Sequence, residues 1–263
     1  MLESAIKNKR TFLFIILSGI FLTNAIVAEV IGVKIFSLEG LLGTRPASIK
    51  LLGDLILDFN LTAGVLVWPI VFITTDIINE YFGKVAVRRI SYMTAIFLMY
   101  IFLIIWIATL LPPAEFWVEI NKLGENNSIF NINYSFSRIF SQGLGIIAGS
   151  LTAFLLGQIM DAWIFHSIRK STGEKKIWLR ATGSTLVSQL FDSFVVLFVA
   201  FYIFGGEHRW TFQQVISVGI INYIYKFSLA ILLTPLLYVA HSIIDNYLGK
   251  DLSEKVIEEA ATE

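Results

Sequence analysis

Asp76, Asn79 and Glu80 stand at i, i+3 and i+4 in an apolar stretch and therefore share one face of a helix. Gln158 with Asp161 and Gln189 with Asp192 repeat a Gln-x-x-Asp pattern 31 residues apart, each pair again on one helical face. Asn24, and Lys226 beside Tyr225, add further polar groups to surroundings made of Leu, Ile, Val and Phe. An ionisable group in hydrocarbon costs roughly 2.5–3.5 kcal/mol on insertion scales unless it faces protein or water. So many of them predict a shared polar cavity. Carboxylates and amides converging there suit hydrogen bonding to a small polar molecule. Thiol or metal chemistry is not suggested, because the chain has no cysteine and its histidines, His166, His208 and His241, are scattered. No cofactor and no catalytic residue is expected. Asp76 and Asp192 sharing a proton would make an intramembrane aspartyl enzyme, which stays open as a lesser alternative. Any one of these residues has a plainer reading as a cross-link between helices, worth about 0.6–2 kcal/mol.

The elements that must position these groups are membrane helices. The 263 residues are 56% apolar and 15% charged, with a mean hydropathy of +0.73 and 20 Lys+Arg against 20 Asp+Glu. Soluble domains carry about 25% charged residues, so an all-α integral membrane protein is expected. A balanced charge also excludes the basic excess of a nucleic-acid binder. About 20 apolar residues cross a core roughly 30 Å thick. Six stretches qualify, at about 11–33, 61–82, 90–111, 138–165, 182–204 and 213–240, and they leave no room for a separate soluble domain. The first is longer than a signal core and reads as an uncleaved anchor.

Lys7, Lys9, Arg10, Lys84, Arg88, Arg89, Arg169, Lys170, Lys175, Lys176, Arg180, Lys250 and Lys255 fall on one side of such a six-helix bundle. Arg45, Lys50, Lys122 and Arg209 fall on the other. The basic side is cytoplasmic, which places both termini inside. Arg88 and Arg89 read first as orientation anchors. Outside, residues 47–59 put Ile49, Leu52, Leu55, Ile56 and Phe59 at helical spacing opposite Lys50, Asp54 and Asp58, predicting an extra amphipathic helix on the outer face. Residues 112–137, with Pro112, Pro113 and a polar run at 124–128, predict a turn and then a mobile loop. The acidic tail 251–263 is expected to be a solvated helical end. Pro69 and Pro235 lie inside spans and can each free a carbonyl. Trp68, Phe72, Phe191, Tyr223 and Tyr225 lie near the polar positions and offer faces for stacking on a planar ligand.

The stretch 64–83, with Pro69, Asp76, Asn79, Glu80 and Gly83, followed by Arg88 and Arg89, closely resembles the signature of the YhhQ-type queuosine precursor transporters, also called the vitamin uptake transporter family. Asn24, Lys34, the run Trp178, Leu179, Arg180 leading into Ser184, Thr185, Ser188, Gln189 and Asp192, and Lys226 followed by Thr234, Pro235 and Tyr238 extend the similarity through most of the chain. The resemblance implies a six-helix inner-membrane importer of 7-deazaguanine precursors of the tRNA base queuosine: the 7-cyano or 7-aminomethyl compound, or queuine. Its implied partners are that small molecule and membrane lipid; a coupling proton and a homo-oligomer are left open. On this reading Asp192 or Asp76 meets the guanine edge and Gln158 and Gln189 orient the other edge. Lys226 balances a carboxylate, and Asn24, Asn79, Glu80, Asp161 and Tyr225 complete the site. The sequence departs from the family pattern at Trp68, where phenylalanine is expected, and in long segments at 38–60 and 112–137. A substrate-binding subunit of an energy-coupling-factor importer also has six spans; no Ala-x-x-x-Ala docking surface supports it.

Overall fold

In a hydrocarbon setting the α-helix satisfies every backbone N–H within its own segment, and long helices carry this chain. The computed structural model describes residues 2–32, 34–50, 56–123, 129–140, 144–172, 177–204 and 209–262. In chain order these form α1 (Leu2–Ile31), β1 (Ile35–Ser37), α2 (Leu38–Leu42), β2 (Ile49–Lys50), β3 (Ile56–Leu57), β4 (Asn60–Thr62) and a 3-10 turn, Ala63–Leu66. Then follow α3 (Trp68–Leu110), α4 (Glu115–Ile120), α5 (Ile132–Phe140), α6 (Leu144–Thr172) and α7 (Ile177–Leu197), which continues into a π-helical stretch, Phe198–Ile203. α8 (Phe212–Leu248) and α9 (Lys250–Thr262) complete the fold.

Five of these helices are long and apolar enough to cross a membrane. The second, α3, replaces the expected spans 61–82 and 90–111 with one 43-residue element that contains a break at Gly83 (φ 79°, ψ 172°). That conformation is essentially reserved for glycine, which explains why a turn can sit there without a loop. The span expected at 138–165 begins later: Arg138 belongs to α5, and residues 141–143 lie outside the described set.

The outer amphipathic helix expected over 47–59 is not formed where the structure describes it. β2 pairs antiparallel with β3, and β1 with β4; residues 51–55 lie outside the described set. Tertiary hydrogen bonds override the helical spacing. The Glu39 carboxylate accepts from Phe59 N at 2.8 Å, Ala47 N at 3.4 Å and Ser37 Oγ at 3.1 Å. Asp58, assigned by the helical pattern to a polar face, instead accepts from Ser48 N at 2.8 Å, and Ser48 adopts a left-handed φ of 49°. The Phe59 N–H, first among these bonds, holds the Glu39 carboxyl below its ordinary range. In the segment 112–137, α4 and α5 occupy much of the described chain and Leu123 bridges to Ile129; the polar run 124–128, expected to be mobile, lies outside the described residues.

The tail also departs from expectation. α9 is docked, with Ser253, Val256 and Ala260 buried, and Val256 joins the main hydrophobic core with Phe21, Ile78, Tyr81 and Phe165. Its polar contacts gather several helices at one end of the bundle. Glu259 meets Arg10 of α1 at 2.6 Å, and Arg169 of α6 donates to Ile257 O at 2.6 Å. Tyr81 of α3 donates to Asp245 of α8 at 2.6 Å, and Ser253 donates to the same carboxylate oxygen.

Candidate functional site

α6 and α7 pack along most of their length. Gly149 makes this close approach possible, because a methyl group there would come within 3.0 Å of Val196 O and of Ala200. Asp192 of α7 forms an ion pair with Lys226 of α8. The two side chains are 23% and 22% exposed, so the charges neutralise each other in a setting only partly open to solvent. From α1, Glu29 donates its charge to the same neighbourhood: it lies within Coulomb range of Asp192 and Lys226 and accepts from Ser150 Oγ at 2.5 Å.

Beside this pair is a cavity of about 40 Å³, lined by Val65, Trp68, Phe72, Phe154, Gly157, Gln158, Gln189, Asp192, Tyr225, Lys226 and Leu229. Trp68 stacks on Phe72 (5.7 Å between centroids, 20°) and tilts against Phe154 (6.1 Å), making one wall aromatic. The other wall is polar. Gln189 Oε1 is buried with no hydrogen-bond partner among the described residues, so an acceptor is left for something placed in the cavity. Thr75 Oγ lies 2.8 Å from Val71 O and 3.1 Å from the side-chain amide of Gln158. A hydroxyl has one proton. That proton is shared between Val71 O and Gln158 Oε1, and the contact fixes the Gln158 amide beside the cavity. A roomier depression of about 320 Å³ lies between Phe14, Phe82, Arg89 and Met93, but no set of polar groups converges on it.

Five of the ten residues singled out from the sequence thus meet at one cavity: Gln158, Gln189, Asp192, Tyr225 and Lys226. Asp76 lines a second, smaller cavity that shares Phe72 with the first. Asp161 is buried and accepts from Thr185 at 3.4 Å and Ser188 at 3.2 Å. Glu80 is buried against Arg169 at 3.9 Å, Asn79 is fully buried, and Asn24 donates to Ile20 O of its own helix. The two Gln-x-x-Asp pairs are not equivalent. With α6 and α7 antiparallel, Gln158 and Gln189 both reach the cavity, while Asp161 falls opposite Thr185 and Ser188. Of the aromatic candidates, Phe191 is exposed and Tyr223 packs against Phe227.

Residues that sequence reasoning missed include Phe154 and Gly157 on the cavity wall and Arg169 as a buried cation. Arg169 looked like an orientation charge, yet it is 5% exposed and bonds both Glu80 O (3.3 Å) and α9. Glu29 was visible as an acidic residue inside a span, but its proximity to Lys226 depends on how α1 packs.

Membrane-length helices enclosing two amides, a carboxylate and an ammonium have the architecture of a membrane carrier. Residues 62–240 match the sequence profile of the family described as "Putative vitamin uptake transporter", and the chain belongs to that family. It is similar to the "Probable queuosine precursor transporter" of Bacillus subtilis, at 28% identity over 191 residues, covering 72% of this chain and 76% of that protein. Similarity to the "Queuosine precursor transporter" of Escherichia coli is 28% over 204 residues, covering 76% and 80%. The "Probable queuosine precursor transporter" of Haemophilus influenzae matches at 25% over 207 residues, covering 76% of each chain. No solved structure matches the chain. The chain is a multi-pass membrane transporter and not an enzyme, and the expected family is confirmed.

Proposed function

We propose that the chain imports a 7-deazaguanine precursor of queuosine, the 7-cyano or 7-aminomethyl compound or queuine, across the inner membrane. The observation that carries this reading is the single cavity uniting Asp192–Lys226, Gln158 and Gln189 with the Trp68–Phe72–Phe154 wall. A guanine-like edge presents a ring N–H beside an exocyclic amine. A carboxylate accepts both, and such charge-assisted bonds are about twice as strong as neutral ones. The Gln189 carbonyl supplies another acceptor, Lys226 supplies a donor for the ring carbonyl, and the aromatic wall stacks on the flat bicycle. At about 40 Å³ the cavity has room for a few waters only. Loading a base therefore parts the aromatic wall from α7 and α8, the movement expected of alternating access.

Six spans with both termini inside go with this reading. A 43-residue helix is about 65 Å long if straight, twice the hydrocarbon thickness, and the Gly83 break supports two crossings. Arg10, Glu80, Arg169 and α9 meet at one end of the bundle, as an even number of crossings with a basic inner side requires. The proposal is tested by uptake in a strain unable to make queuosine precursors, offered the 7-cyano compound, the 7-aminomethyl compound, queuine and an unrelated vitamin in parallel. Rescue of tRNA modification by one or more of the deazaguanines is expected. Uptake of the vitamin alone would overturn the substrate assignment.

A further inference from the structure

We propose that Asp76 and Asp161 form a proton site beside the substrate cavity, and that the proton held there drives uptake. The inference rests on the import reading for its second half only. Asp76 is 7% exposed and Asp161 5% exposed. They lie on α3 and α6, within Coulomb range of each other, with Glu80 the other acidic group near Asp76. No cation pairs with either aspartate among the described residues. Lys226 is engaged by Asp192, and Arg169, the basic group that faces this region from α6, stands against Glu80. α7 contributes hydroxyls, with Thr185 and Ser188 donating to Asp161, and α8 lines the neighbouring cavity through Thr234 and apolar groups. Asp76 Oδ1 has no hydrogen-bond partner among the described residues, and Asp76 lines that cavity.

Thr185, which donates to Asp161, lines the same small cavity as Asp76, and two anions buried this near each other without a counter-charge are far costlier than one anion and one acid. A metal cation would need more ligands than are present: among the described residues no group of three or more His, Cys, Asp or Glu is placed to hold one. A proton needs only the two carboxylates.

The geometry also ties the proton to the substrate. Thr75, next to Asp76 in α3, contacts Gln158 at 3.1 Å. Gln158 lies one helical turn before Asp161 and lines the substrate cavity. A base that engages Gln158 is thereby one helical turn from Asp161 and one hydrogen bond from the residue next to Asp76. The proton enters from outside onto the pair and leaves to the cytoplasm, while the base crosses chemically unchanged.

The test combines two measurements on the full chain. Infrared spectroscopy of the purified protein at about pH 7, where an ordinary aspartate is ionised, should show the C=O stretch of a protonated carboxyl, and Asp76→Asn and Asp161→Asn should each remove it. In reconstituted vesicles, a pH gradient should drive accumulation of 7-cyano-7-deazaguanine by the wild type. Both variants should lose accumulation but retain exchange of labelled for unlabelled base. A wild type without the band, or a band that persists in both variants, overturns the site regardless of substrate. Wild-type accumulation that follows a sodium gradient and ignores the pH gradient overturns the coupling. A band that both variants remove, together with no transport of any deazaguanine, supports the proton site and removes the import reading instead.

Discussion

Asp192→Asn separates two roles that a single ion pair can serve. The substitution leaves the Lys226 ammonium stranded in a setting where each side chain is about one-fifth exposed. Breaking a fully buried pair costs about 3–5 kcal/mol; with that much solvent access, about 1–3 kcal/mol is expected here. Lys226→Met in the same chain removes the stranded charge and should recover most of the loss in thermal stability. Binding should behave differently. A hydrogen bond to a charged group contributes about 1.5–3 kcal/mol, so losing the Asp192 acceptor should weaken deazaguanine binding by about 10- to 100-fold. The double variant should not regain that affinity. Stability is read from melting of the detergent-solubilised protein, and binding from quenching of Trp68 fluorescence, with a Trp68→Phe control. Recovery of both stability and binding in the double variant would refute the reasoning, because Asp192 would then serve only to neutralise Lys226.

Thr75→Val removes the group that fixes the Gln158 amide and should lower affinity for the base by about tenfold, with Thr75→Ser near wild type, as measured by the same quenching. Gly83→Ala forces a methyl group into a glycine-only conformation and should cost about 1–3 kcal/mol, visible as a lowered melting temperature. Val256→Asp puts a charge into the buried face of α9 and should free that helix to early proteolysis, with a stability loss of about 2–5 kcal/mol. The Glu39 carboxyl is held below its ordinary 4.5, so its stabilisation of the outer strands is present above that value and lost as pH falls through the depressed one. Proteolysis of that segment should accelerate in acid, and Glu39→Gln should abolish the pH dependence.

The long helices and the polar cavity were legible because both leave one-dimensional signals. Apolar runs of membrane length show as composition, and Gln158, Gln189, Asp192 and Lys226 stand out against them. Depth and pairing were less legible. The two Gln-x-x-Asp motifs play different parts because antiparallel helices bring position 158 near 189 and position 161 near 185, a matter of register that no single helix encodes. The outer segment misled for a different reason: its apolar spacing is helical, but Glu39 collects two distant N–H groups, Ala47 and Phe59, and these long-range bonds decide the backbone. α9 looked like a solvated tail because three of its polar contacts, to Arg10, Arg169 and Asp245, come from residues 8 to 249 positions away.

Equilibrium binding to the purified protein offers the most direct test of the central claim, with 7-cyano-7-deazaguanine compared against the same compound lacking its exocyclic amine. The amine is the group that the Asp192 carboxylate is proposed to read together with the ring N–H. The amine-bearing compound should bind at least about tenfold more tightly, and Asp192→Asn should erase most of the difference. Equal affinities for the two compounds in the wild type would contradict the account.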